Sequence, residues 1–80
     1  MEVTIDTQYN VAHIRLKAKP ETGVQTLTLS DDLHVDISTD GTVYGIELLN
    51  AAEQLQEGSE TVVKLKELRS GREETWRWAG

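Results

Sequence analysis

The sequence contains no cysteine. That excludes a disulfide framework, a zinc ribbon and a thiol nucleophile, and it suits a reducing compartment. No apolar run approaches the roughly 20 residues that a membrane-spanning helix needs. The opening MEVTIDTQYN lacks the basic and apolar regions of a signal peptide, so a soluble, cytoplasmic protein without membrane contact is expected. Also missing are a nucleophile elbow, a glycine-rich phosphate loop and an H-E-x-x-H metal motif. No cofactor is therefore expected, and no reaction is signalled. Eighty residues make one domain, 1–80, and a chain this short buries only about 60% of the surface its unfolded form exposes.

Charge is present but uneven. The net charge is −6, yet residues 1–59 carry three bases against ten acids, whereas residues 60–80 carry five bases against four acids. An acidic body disfavours nucleic acid over most of its surface and favours a basic protein partner.

The hydrophobic pattern is mostly of period two. Val3 and Ile5 alternate with polar residues, as a short strand with one buried face would. Val11 to Lys17 places Ala12, Ile14 and Leu16 on one side and His13, Arg15 and Lys17 on the other. The break KPETG holds the only proline, Pro20, and precedes a third strand in which Gln25, Leu27 and Leu29 share a face. Leu33 to Asn50 then reads as a central hairpin about Asp40-Gly41, a pair suited to a type I′ turn. Its register sets Leu33 against Leu48, Val35 against Ile46 and Ile37 against Tyr44. The opposite face pairs His34 with Glu47, Asp36 with Gly45 and Ser38 with Val43.

After the hairpin the period lengthens. Asn50 with Glu53 forms a capping box for a short helix over 51–57 that Gly58 ends. Residues 59–80 read in two ways. As a helix, Ser59 caps it and Val62, Leu65 and Leu68 form a stripe. As a hairpin about Ser70-Gly71, Leu65 faces Trp76 and Val63 faces Trp78, which gives both tryptophans a core or interface role. The hairpin accounts for more of the residues, although it sets Glu67 against Glu74 and Lys64 against Arg77. The fold class is therefore α+β, mostly β: a small antiparallel sheet of hairpins, one short helix after the central hairpin, and a C-terminal hairpin.

Three groups of residues could carry chemistry. Asp36 to Glu47 has the twelve-residue spacing of an EF-hand calcium loop, with Asp36, Ser38, Asp40, Gly41 and Glu47 at the diagnostic positions. The strand alternation on both flanks favours a tight turn instead. His34, Asp36 and Glu47 share one face of the hairpin, a set able to bind a divalent metal or to orient an imidazole as a base. Trp76, Arg77 and Trp78 lie among the basic residues of the tail, an arrangement that can stack on single-stranded bases. Burial of the tryptophans competes with that reading.

The segments IDTQYNVAHIRL and VDISTDGTVYGIELLNA resemble a family of short bacterial proteins, domain of unknown function family twenty-two eighty-three, over about residues 3–55. The resemblance implies a small antiparallel sheet with a short helix, and leaves 59–80 as an extension outside the shared pattern. It singles out Gly45-Ile46-Glu47. Because some members are encoded beside small toxin-like proteins, it also implies an antitoxin or partner-binding role. A marginal core, uncovered sheet edges and an acidic body together point to a non-enzymatic interaction module that self-associates, as a dimer, and engages a basic partner through Asp31, Asp32, Asp36 and Glu47. The alternatives are a metal-binding protein or metal-dependent hydrolase using His34, Asp36 and Glu47, and an acidic inhibitor that mimics nucleic acid.

Overall fold

A computed structural model describes residues 1–79. The elements in chain order are β1 (Glu2–Asp6), β2 (Val11–Arg15), β3 (Val24–Ser30), β4 (Leu33–Ser38), β5 (Val43–Leu49), α1 (Ala51–Leu55), β6 (Gln56–Glu57), β7 (Glu60–Lys66) and β8 (Glu73–Ala79). The first five strands form one antiparallel sheet in the order β1-β2-β5-β4-β3, and the last three form a second in the order β6-β7-β8. The segment between β2 and β3 crosses from one side of the central hairpin to the other, which gives β2 to β5 a Greek-key arrangement. No helix among the described residues is long and apolar enough to cross a membrane.

The central hairpin has the expected register over most of its length: Leu33 opposes Leu48, His34 opposes Glu47, Val35 opposes Ile46 and Asp36 opposes Gly45. The turn end differs. Gly41 is left-handed at φ 87° and Asp40 is not, so the turn is not type I′, which would need positive φ at both. The Gly41 N–H donates to the Ser38 carbonyl at 3.0 Å and the Ser38 N–H to that of Thr42 at 2.9 Å, closing a three-residue loop. A bulge at Tyr44 then makes Val43, not Tyr44, the partner of Ile37. The extra residue keeps a phenol off the apolar face, where its hydroxyl would lack a partner, and seats it beside His13, Lys19 and Asp36.

Apolar side chains of all five strands share one face of the first sheet: Val3, Ile14, Ile46, Val35 and Leu27 form a single row across it. Little of this face is enclosed. Among the described residues Ala12 and Ala51 are the buried hydrophobic ones, and the face expected to bury Val3 and Ile5 leaves them 44% and 40% exposed.

The helix is shorter than the pattern implies, ending at Leu55, and its cap is different. Asn50 is itself left-handed (φ 52°) and makes no side-chain cap, so there is no capping box. Asn10, left-handed at φ 58° in the β1–β2 turn, does that work from a distance. Its carbonyl accepts the Ala51 N–H at 2.9 Å, its Oδ1 accepts the Ala52 N–H at 2.8 Å, and its Nδ2 donates to Glu53 at 3.0 Å. Residues 56–57 become a strand, and Gly58 (φ 68°) serves the β6–β7 turn.

The tail is a hairpin and not a helix, with a register two residues from the one expected. Val63 opposes Trp76, Thr61 opposes Trp78 and Leu65 opposes Glu74. The shift removes the Glu67–Glu74 and Lys64–Arg77 oppositions. Lys64 and Lys66 instead reach Glu73 at 3.6 and 4.0 Å, and Arg77 reaches Glu60 at 3.1 Å. It is made possible by Glu67, whose carboxylate accepts the N–H groups of Arg69 and Ser70 and so holds a longer loop.

Candidate functional site

The polar face of the first sheet carries the titratable groups in two rows, each crossing all five strands. One row is Thr4, His13, Glu47, His34 and Thr28, and the next is Glu2, Arg15, Gly45, Asp36 and Thr26. Glu47 therefore lies between two histidines on neighbouring strands. His34 Nδ1 is 3.4 Å from Glu47 Oε1, an ion-pair distance when the imidazole is protonated.

His13 leaves its row. Its ring crosses β5 and brings Nε2 to 3.6 Å from Asp36 Oδ2 on β4. It can do so because residue 45 is glycine: a Cβ there would lie 2.9 Å from His13 Nε2 and 3.1 Å from the Ile14 carbonyl oxygen. Gly45 is thus required for close approach rather than for its backbone angles. Asp36 also accepts a hydrogen bond from the Thr26 hydroxyl at 2.7 Å and has Lys19 Nζ at 3.8 Å, brought over by the β2–β3 segment. Its side chain is 15% exposed against 42% for Glu47, so Asp36 is the enclosed carboxylate and Glu47 the accessible one.

Of the metal-ligand set His34, Asp36 and Glu47, the structure brings His34 and Glu47 together and turns Asp36 toward His13, Lys19 and Thr26. Among the described residues no three His, Asp or Glu side chains are grouped so as to hold a metal ion. The EF-hand spacing resolves into the turn: Asp40 accepts hydrogen bonds from the Ser38 hydroxyl and, at 3.0 Å, the Thr42 N–H, while Glu47 is occupied with His34 up the strand. Those donors, the Ser38 hydroxyl first, lower the Asp40 pKa to about 2. Trp76 and Trp78 are not core residues. They are 46% and 59% exposed and line a groove of 470 Å³ together with Val63, Val3 and Ile5.

Asp31 and Asp32 lie elsewhere, in the β3–β4 turn at one end of the first sheet. Asp6 and Glu53 are at the same end, and none of residues 6–11, 29–33 and 49–55, which build it, is a lysine or arginine. The backbone here is tied together by amides. Asn50 Nδ2 donates to the Asp32 carboxylate at 2.6 Å, and Gln54 Nε2 to the Asp32 carbonyl at 3.1 Å. The Asp6 carboxylate accepts the Gln8 and Tyr9 N–H groups. Sequence reasoning did not find the role of Asn10 and Asn50; the available signal was that asparagine tolerates left-handed backbone where a turn meets a strand or helix.

An antiparallel sheet with polar titratable residues on one face, followed by a short helix, defines a small α+β protein. Residues 2–51 match the family described as Protein of unknown function (DUF2283), and the chain belongs to that family. The matched region runs from β1 to the first residue of α1 and so contains the whole first sheet. No curated protein and no solved structure matches the chain.

Proposed function

We propose that this protein is a non-enzymatic interaction module whose acidic body engages a basic protein partner. The observation that supports this reading is the polarity of the first sheet. One end carries Asp6, Asp31, Asp32 and Glu53 on an amide-braced framework without a lysine or arginine, while Arg15, Lys17 and Lys19 belong to the other end. A field of one sign at a rigid end steers a partner of opposite charge and orients it on encounter. Asp31, Asp32 and Glu53 are the contact residues in this reading. Asp36 and Glu47 contribute less, because each already has a cationic or imidazole neighbour. An antitoxin-like role, with a basic toxin as partner, is one form of it.

The test is affinity capture from the native operon with the wild-type chain and with a variant carrying Asp31→Lys and Asp32→Lys, whose folding is checked by circular dichroism. A stoichiometric basic protein retained by the wild type and lost by the variant is the expected result. Equal recovery by both chains, or no stoichiometric basic protein with either, would overturn it.

A further inference from the structure

The apolar face of the first sheet carries no charged side chain. On either side of the row from Val3 to Leu27 lie Ala12, Leu48 and Leu33, and then Ile37 and Gln25. At the β1 edge the face opens into the groove lined by Trp76 and Trp78 of the second sheet, so the apolar surface continues from one sheet to the other.

The chain covers this surface only in part, burying Ala12 and leaving Val3, Ile5 and Leu27 exposed. It is a slab of 36 × 35 × 20 Å with a radius of gyration of 14.4 Å, against about 11.6 Å for a compact chain of this length. Its accessible surface is 6225 Å², whereas a 9.0 kDa monomer ordinarily exposes about 4,850 Å². The excess is about 1,400 Å². Leu27 and Val3 on the outer strands are 43% and 44% exposed, and Ile14, Ile46 and Val35 on the inner strands are half-buried.

We propose that this face packs on the same face of a second copy, forming a twofold β-sandwich closed at its margin by Trp76 and Trp78. The area is sufficient: the whole chain exposes about 1,400 Å² beyond an ordinary monomer, and covering half of that excess on each copy gives about 1,400 Å² in total, the size of a standard stable interface of about 1,200–2,000 Å². The charge fits as well. A chain of net charge −6 repels its own copy over most of its surface, but this face sets no like charges against each other. A basic partner, by contrast, finds its carboxylates at the end of the sheet and none here. Two such sheets stacked about 10 Å apart exclude water from the apolar row and give the molecule the enclosed core that one copy lacks.

Sedimentation equilibrium of the full chain over a wide concentration range tests this directly. The expected mass is twice 9.0 kDa. Leu27→Glu and Val3→Glu change half-exposed positions on the face, and because twofold symmetry buries each new carboxylate twice, either should raise the dimer dissociation constant by about a hundredfold or more. Thr28→Glu, on the opposite face of the same strand, should leave the mass unchanged. Trp76 and Trp78 are the only tryptophans, so their emission should shift to longer wavelength on dilution with the same midpoint as the loss of mass. A wild-type chain at single-chain mass throughout would overturn the proposal, as would a dimer that Leu27→Glu and Val3→Glu leave intact. The Asp31→Lys, Asp32→Lys variant should remain dimeric, so loss of the basic partner and loss of the dimer are separable results.

Discussion

Gly45→Ala isolates the close approach on which the polar face depends. The new methyl would sit 2.9 Å from His13 Nε2 and 3.1 Å from the Ile14 carbonyl oxygen. The first contact is relieved by swinging a side chain away, which separates His13 from Asp36. The second needs a backbone shift between β2 and β5. Replacing glycine also stiffens the unfolded chain, which stabilises by about 0.4–1 kcal/mol where the native backbone accepts alanine. Overpacking costs about 1–3 kcal/mol, so the net expectation is destabilisation of about 1–2 kcal/mol. Urea unfolding at one fixed protein concentration should show a lower midpoint with an unchanged slope. The decisive comparison is made in a His13→Ala background. There the 2.9 Å contact is gone and Gly45→Ala should cost about 1 kcal/mol less than in the wild type. Equal costs in the two backgrounds would refute the assignment of Gly45 to the passage of His13, as would a Gly45→Ala chain more stable than the wild type.

Asn10→Ala removes the remote cap and places alanine at a left-handed backbone position, so it should destabilise by about 1–2 kcal/mol by urea unfolding, with Asn10→Gly costing less because glycine keeps the backbone angle. For Asp40 the folded pKa of about 2 lies below the ordinary 3.8, so its contribution is fully present above the ordinary value and is lost as pH falls through about 2. Asp40→Asn should flatten that part of the acid-unfolding profile, and a titration of the Asp40 carboxyl by NMR checks the midpoint. Zinc or manganese should leave the melting temperature unchanged, since Asp36 is turned away from His34 and Glu47. A metal-dependent rise abolished by His34→Ala would establish the metal site instead.

The strands were legible wherever alternation and turn chemistry agreed. Leu33, Val35, Ile46 and Leu48 locked the central register because a one-residue slip of either strand would move its two apolar residues to the polar face. The departures came where one extra residue was cheap. The bulge at Tyr44 cost the hairpin one unpaired residue and exchanged a phenol for a valine on the apolar side, a choice that depends on what lies beyond the face and not on the hairpin itself. In the tail, alternation fixed the parity of Val63, Trp76 and Trp78 but not the register. Two registers differing by two residues present the same faces, and side-chain charge together with the loop-holding carboxylate of Glu67 decided between them.

The candidate site was half legible for a related reason. His34 and Glu47 belong to adjacent strands of one hairpin, so their opposition followed from its register. His13 belongs to β2, and its place beside Glu47 and over Gly45 follows only from the Greek-key pairing of β2 with β5. No local pattern specifies that pairing. What specifies it is the shared apolar row: with Ile14 beside Ile46 and Ala12 beside Leu48, the alternate residues His13 and Arg15 must fall on the polar face against Glu47 and Gly45. The same alternation that gathers the titratable residues on one face therefore gathers an uncharged surface on the other. A change that shifted β2 by one residue would disturb the imidazole–carboxylate pairs and the dimer face together, whereas Leu27→Glu on β3 separates them, since it alters the apolar face and leaves His13, Gly45 and Asp36 in place.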